Sequence, residues 1–430
     1  MTRTRSSTLL LTFVLLVFLS EDVWAQARIS SPYSRYAIGE LWQNNYSATL
    51  SGMGNIGLAI RSDNFLNIKN PASYTGFDST SFLFDISGLG SYTTLKTTEL
   101  SQDADYASLG YILFGTPVTK WWRASFGLIP YSNVGYTVYD ESTLDSIGRV
   151  RYIYEGAGGL NQIHIGNAFA ITPNLSIGLN TSYIWGVIDK RRRVTFPDSL
   201  SMISTRVDNV DHISDLMVEL GIQYFIPLKN DLELGTGLVF KPGTSISATR
   251  KYIGQNYFSS TQSDIDLPRD TVAYNSAVKG NLKFPLGFGA GVSLKKTNQF
   301  IVGLDFSWRN WKDYEEFGRR DSLQNSFAVN LGGEYTPKHN SISSYWQRVK
   351  YRLGFRYENT YLEINNTPIK EFGISFGLGF PFKRSKSMLN FAFEFGNKGT
   401  VENNLVQENF FKFTFGLSIY ERWFLKSKYR

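Results

Sequence analysis

Phe411-Lys412-Phe413-Thr414-Phe415-Gly416-Leu417-Ser418-Ile419-Tyr420 alternates bulky apolar residues with small or polar ones without a break. A β-strand sends successive side chains to opposite faces, so this segment has one greasy face and one small or polar face. The same period of two recurs upstream. Leu389, Phe391, Phe393 and Phe395 alternate with Asn390, Ala392, Glu394 and Gly396, and Phe372, Ile374, Phe376, Leu378 and Phe380 alternate with Gly373, Ser375, Gly377, Gly379 and Pro381. In a soluble sandwich the greasy face would be the core. In an outer-membrane barrel it meets lipid, and the opposite face lines the lumen. The greasy faces here are long and the opposite faces rich in glycine. Trp121, Trp122, Tyr131, Trp185, Trp308, Trp311 and Trp423 cluster near segment ends, as the aromatic girdles of a membrane barrel do.

Composition agrees. The 430 residues are 19% charged and 15% aromatic, with 38 glycines and no cysteine. The charge is low and the aromatic content high for a soluble protein. Zero cysteine excludes disulfide scaffolds, thiolate zinc sites and iron–sulfur clusters. At the N-terminus, Arg3 and Arg5 precede the apolar run Leu9–Leu19 and then Val23-Trp24-Ala25. This pattern predicts a secretory signal peptide over 1–25, cut after Ala25, and hence export to the outer membrane.

The alternation predicts an all-β fold, a fourteen-stranded antiparallel transmembrane barrel over 81–430. Its strands are expected at 81–95, 106–116, 122–139, 161–171, 175–190, 214–227, 231–247, 280–296, 299–313, 323–336, 350–362, 370–382, 388–396 and 408–424. The even number is what single-chain bacterial barrels require. Short connections, such as 172–174 and 296–298, interleave with stretches expected to be long extracellular loops at 140–160, 191–213 and 248–279. The link at 337–349 is long for a periplasmic turn. Residues 26–80 lack sustained alternation and are rich in glycine and aromatics. Gly52 and Gly54 allow tight bends and close backbone packing, and Asn70-Pro71-Ala72 opens on a turn initiator. A glycine-lined lumen leaves room for packed backbone, so 26–80 is expected to form a hatch, or plug, inside the barrel.

A glycine-rich run, then Asn70-Pro71-Ala72, then the first amphipathic strand resembles the N-terminal hatch of the long-chain fatty-acid transporter (FadL-like) family. Gly127-Leu128-Ile129-Pro130-Tyr131-Ser132-Asn133-Val134-Gly135-Tyr136 in the third strand is similar to that family's Pro-aromatic-Gly interruption. Proline offers no ladder N–H, so Pro130 should bulge or break the strand. The resemblance implies a lateral opening at Pro130, Tyr131 and Gly135, through which an apolar molecule leaves the lumen for the bilayer. The expected loops are polar, for example Asp140-Glu141-Ser142-Thr143 and Thr261-Gln262-Ser263-Asp264, whereas the fatty-acid members gather ligand on apolar loops. A branch of the same superfamily, similar to the PorV-type barrels of the type IX secretion pathway, serves as a docking subunit.

Chemistry is sparse. His164, His212 and His339 are dispersed, and no nucleophile, base and orienting group stand at readable spacing. Gly287-Phe288-Gly289-Ala290-Gly291 lies in an alternating strand with no helix after it, so it is no nucleotide fingerprint. No enzyme activity, catalytic residue, metal or cofactor is expected. Parity points Asp85, Glu219, Asp305, Glu394 and Lys412 into the lumen, with Glu394 and Lys412 placed to pair across neighbouring strands. Arg191-Arg192-Arg193 could meet lipopolysaccharide phosphates. Basic residues are otherwise scattered, which argues against nucleic acid despite the net charge of +7. Two functions are therefore expected of such a chain. One is passive uptake of small hydrophobic molecules, gated by the hatch; the alternative is a non-enzymatic docking barrel of an outer-membrane secretion or assembly machine with a protein partner.

Overall fold

The computed structural model describes residues 30–41, 47–145, 147–198, 202–259 and 266–422. The expected signal peptide, the polar stretch Thr261–Asp264 and Trp423 lie outside these residues. Fourteen antiparallel strands close on themselves. They are β1 (Ser81–Lys96), β2 (Ser101–Pro117), β3 (Trp122–Leu144), β4 (Gly148–Ala170), β5 (Leu175–Thr195) and β6 (Ser204–Pro227). Next come β7 (Leu232–Lys241 and Thr244–Ser259) and β8 (Asp266–Phe284 and Gly287–Lys296), each interrupted near a proline, Pro242 or Pro285. Then follow β9 (Phe300–Arg309), β10 (Ser326–Tyr335), β11 (Lys350–Ile364), β12 (Thr367–Pro381), β13 (Met388–Lys398) and β14 (Gln407–Arg422). β14 pairs with β1 from Arg422↔Ser81 to Gln407↔Lys96, which closes the barrel. Closure satisfies the backbone groups of the first and last strands, which matters in the hydrocarbon, where an unpaired backbone group costs several kcal/mol.

The alternation does what lipid on one side demands. Along β14, Thr414, Gly416 and Ser418 are buried inward while Phe415 is 46% exposed on the outside. Phe376, Leu353, Leu331, Leu304 and Leu238 continue the outer belt around the wall. Trp121, Trp122 and Phe169 stack on one another at the end of β3 and β4, and Trp308 packs on Phe288. Two residues assigned to the girdles are elsewhere. Tyr131 and Trp311 are both buried inside the barrel, because β3 bends inward and the segment after β9 folds into the mouth.

The stretches expected as long loops at 140–160 and 191–213 are mostly paired strand, and so is much of 248–279. β3 and β4 have 23 residues each, β5 has 21 and β6 has 24, about twice the roughly 9–11 that cross a bilayer. With the outer parts of β7 and β8 they rise beyond the membrane as one six-stranded wall. The outer face meets water there, and the inner face mixes ion-paired side chains such as Asp208 and Asp211 with apolar ones such as Ile188 and Ile213, so alternation fades while the backbone ladder continues. Arg149 fixes the wall's tip by an ion pair to Asp198 at 2.8 Å, and its hydrogen bonds hold the Asp198 carboxyl below the usual carboxylate range. The long link at 337–349 is an ordered turn closed by Lys338 N–H donating to the Gln347 carbonyl at 2.8 Å.

Residues 30–41 and 47–80 run inside the barrel. They form a 3-10 turn (Pro32–Arg35), a two-residue strand (Glu40–Leu41), the short helix α1 (Ala48–Ser51) and a second 3-10 turn (Pro71–Gly76).

Candidate functional site: hatch, seam and lumen

The hatch meets the wall backbone to backbone. Gly52 lies against Gly377 of β12, and Gly54, with φ +63°, lies against Gly354 of β11. A Cβ on Gly354 would sit 1.8 Å from the Gly54 nitrogen, and one on Gly237 would sit 1.9 Å from the Leu58 carbonyl oxygen. Wall side chains take up the hatch's backbone groups. Gly57 N–H and Leu58 N–H donate to Asp305 at 2.6 and 2.9 Å, Leu66 N–H donates to Asp85 at 3.2 Å, and Gly54 N–H donates to Ser375 Oγ at 2.9 Å. Irregular backbone at membrane depth has to be satisfied in this way.

Asn70-Pro71-Ala72 is a capped turn. Asn70 accepts from Ala72 N–H at 3.0 Å, Pro71 occupies the first position, where its missing N–H costs nothing, and Asn70 Nδ2 donates to the Leu58 carbonyl at 2.8 Å and the Ile222 carbonyl of β6 at 3.2 Å. Ala72 is fully buried against Gly178 of β5. Tyr74 Oη lies 3.1 Å from both His164 Nε2 and Asn180 Oδ1, so His164 is tied into the hatch contact.

Pro130 stands beside a break in the wall. β2 and β3 pair through six positions, from Pro117↔Arg123 to Ile112↔Leu128, and then separate. Two residues later β3 carries a bulge between Pro130 and Ser132. Beyond it Tyr131, Val134 and Tyr136 are buried in an apolar cluster with Tyr33 and Ile38 of the hatch. The edge that β2 has left is taken by the chain's own N-terminal segment. Glu40 and Leu41 pair with Asn133 and Ser132, Ser31 N–H donates to the Gly135 carbonyl at 2.9 Å, and Gly135 N–H donates to Ser34 Oγ at 3.1 Å.

Ion pairs line the lumen. Glu219 pairs with Lys241 at 3.0 Å. Glu394 and Lys412 face each other in register, but Glu394 is bound by Arg356 at 2.7 Å and Lys412 lies 3.6 Å from Glu371. The difference comes from Arg356, whose guanidinium bridges Glu394 and Glu371 and so claims the nearer carboxylate. Lys398 binds Glu40, and the Ser31 hydroxyl lies within hydrogen-bond reach of both Glu40, at 2.8 Å, and Glu408, at 2.5 Å, so the N-terminal segment is latched to β13 and β14. One cavity of about 140 Å³ is walled by Glu40, Arg356, Glu358, Glu371, Lys398 and Glu408. A second, of about 150 Å³, touches Lys69, His164, Glu219, Lys241 and Asp305. Arg309 borders both.

The outer mouth is filled. The segment 310–325 folds inward and buries Trp311, Tyr314 and Leu323, with Trp311 stacked on Tyr361 at 4.4 Å. A hairpin within it, Glu315–Glu316 with Arg319–Arg320, pairs with β8 at Leu282 and Lys283. Glu316 is held by Lys190 at 3.1 Å and by Arg250. Lys190 also donates to the Ala37 carbonyl at 3.1 Å, joining cap, wall and hatch.

Arg356, Glu371, Lys398 and Glu408 were not singled out from the sequence, although a signal existed. Arg352, Arg356 and Glu358 alternate with Tyr351, Leu353, Phe355 and Tyr357, which is the inward parity of β11. Arg191 and Arg193 are not free for lipopolysaccharide phosphates. They pair within the wall with Asp208 at 2.9 Å and Glu155 at 2.8 Å, because neighbouring strands place carboxylates beside them.

Solved structures share the fold. The chain is similar to the CymD monoaromatic hydrocarbon channel (TM-score 0.55, 15% identity, covering 87% of this chain and 97% of that one). It is similar to a Pseudomonas aeruginosa FadL homologue (TM-score 0.57, 11% identity, 87% and 98%) and to the Pseudomonas putida toluene transporter TodX (TM-score 0.54, 15% identity, 88% and 98%). At these identities the likeness is one of fold. No curated protein matches the chain. A family model described as BamG matches residues 8–430.

Proposed function

The chain belongs to the BamG family, and from that premise we propose that it is a non-enzymatic accessory barrel of the β-barrel assembly machine (BAM) of the outer membrane. The observation that carries this reading is the state of the lumen. Its mouth is packed by segment 310–325 against the hatch, and its two cavities are bordered by ion pairs. An apolar cavity of about 150 Å³ admits a benzene-sized molecule, so volume alone would suffice. The ion pairs work against it, because an apolar solute cannot replace the hydration of buried charges, although Ile129, Met217, Val239 and Phe288 give the second cavity an apolar side. Partners are met instead through the wall that rises beyond the membrane.

A second reading, passive uptake of hydrophobic molecules with exit to the side, is favoured by the parting of β2 and β3 just before Pro130. That seam leads toward the charged cavity, which Ala104 and Tyr106 of β2 also border. The experiment that separates the two is affinity purification of the tagged chain from its own outer membrane in mild detergent. The accessory reading expects the central barrel of the assembly machine in stoichiometric amount. A lone barrel carrying a bound apolar molecule would refute it.

A further inference from the structure

Among the described residues, the six-stranded outer wall and the β1–β2 hairpin leave two strand edges without a neighbouring strand. One is the outer part of β8. It carries Pro268 and three register shifts, between Pro268 and Asp270, Thr271 and Ala273, and Asn275 and Val278. Bulges and proline twist an edge away from pairing, so this edge is protected against addition.

The other is the outer part of β2, at Ser101–Asp105. Among the described residues it pairs with β1 (Lys96↔Ser101 to Tyr92↔Asp105) and with no strand on its other side, because β3 left the ladder at Leu128. It has no proline and no register shift over Ser101–Asp105. The facing edge of β3 is already covered by Glu40 and Leu41, so the chain itself shows that extended peptide adds to this seam. Asp103 and Asp105 are both exposed and, two residues apart, share one face. Thr94 Oγ1 donates to Asp103 at 2.7 Å, which fixes that carboxylate on the hairpin.

We infer that the outer edge of β2 is a β-addition site for an extended segment of a partner protein bearing Lys or Arg at alternate positions. Main-chain hydrogen bonds would supply the binding, and side chains at a spacing of two would read the Asp103–Asp105 face. A strand without basic residues meets two carboxylates unpaired, which is how the edge rejects copies of itself. The proposal rests on the accessory-subunit reading above.

The test places a photoreactive residue at Gln102 of the tagged full chain in its native membrane, with Asn275 of β8 as the control edge. The expected result is one cross-linked partner at Gln102, joined through a peptide with two basic residues two positions apart. Asp103→Lys with Asp105→Lys should lower that cross-link at least tenfold, and Asp103→Glu with Asp105→Glu should retain it. Heat-modified mobility of each variant reports that the barrel is folded. Three results overturn the inference while the accessory reading stands: a co-purifying complex without a Gln102 cross-link, a cross-link indifferent to charge reversal, or one to a second copy of this chain. If the wild-type chain purifies with no assembly partner, the accessory reading fails first and the inference falls with it.

Discussion

Gly354 in the wall and Gly54 in the hatch meet so closely that neither position has room for a side chain: a Cβ on Gly354 would lie 1.8 Å from the Gly54 nitrogen. The inward glycines are thus the surface against which the hatch is fitted, and they make its seating sensitive to a single methyl group.

Gly354→Ala should therefore unseat the hatch while the barrel still inserts. Overpacking of this kind costs about 1–3 kcal/mol, and the hatch is the element able to move. The expected outcome is stable ion conductance in planar bilayers and new protease cleavage within residues 47–80. Gly90→Ala is the control, since nothing lies within 4 Å of a Cβ there; equal conductance from both variants would refute the fitting argument.

Asp305→Ala removes the acceptor for two hatch amides, Gly57 and Leu58. Hydrogen bonds to a charged group contribute roughly 1.5–3 kcal/mol each. Amide exchange at Gly57 and Leu58 should accelerate at least tenfold, since about 1.4 kcal/mol is a factor of ten. Asp305→Asn keeps one acceptor oxygen and should fall between. Unchanged exchange in Asp305→Ala would show that wall packing alone seats this part of the hatch.

Arg356→Met leaves Glu394 buried without its guanidinium and the half-buried Glu371 with only Lys412, at 3.6 Å. Breaking a buried pair from one side costs about 3–5 kcal/mol, read as a lower urea midpoint of the barrel in micelles. Adding Glu371→Gln and Glu394→Gln should recover most of the loss, because the penalty belongs to the stranded charges. A triple variant as weak as Arg356→Met would place the loss in packing instead.

Lys190→Ala and Glu316→Ala should each loosen the cap over the mouth, since the pair joins segment 310–325 to β5. Their effects on proteolysis of that segment in whole cells should be non-additive, with a coupling of roughly 0.5–3 kcal/mol. Strictly additive effects would mean that Arg250, which also binds Glu316, holds the cap independently of Lys190.

Pro130→Val restores a ladder N–H to β3. The seam should nonetheless stay open, because Glu40 and Leu41 occupy the edge that β2 would need. Accumulation of a hydrophobic solute by cells should be unchanged in this variant. A clear fall in uptake would favour lateral transport over the accessory reading.

The barrel could be read from the chain because lipid and lumen are two different solvents on opposite faces of each strand. Phe413 and Phe415 against Thr414 and Gly416 record that difference directly, whereas the bulge after Pro130 and the turn at Trp311–Asp313 break the alternation expected of their strands. The inward position of Asp85, Asp305 and Glu394 follows from the same parity. Above the membrane the signal ends. Asp140–Thr143 read as loop yet belong to β3, since water wets both faces and only ladder hydrogen bonds, invisible in composition, keep them extended. Arg191 and Arg193 read as a free basic run, and only the register of β5 with β6 and β4 shows the carboxylates beside them.

A fourteen-stranded barrel whose inner face is too bare to stand empty is legible in the order of residues alone, because period-two hydrophobicity and inward glycine are local properties of each strand. What fills it, where β2 and β3 part, which charges meet and that Trp311 turns inward to close the mouth emerge with the folded ring. Those outcomes depend on contacts between residues hundreds of positions apart, such as Gly54 with Gly354 and Glu40 with Lys398. No local pattern encodes such pairs; they exist only once the ring has closed around its own N-terminus.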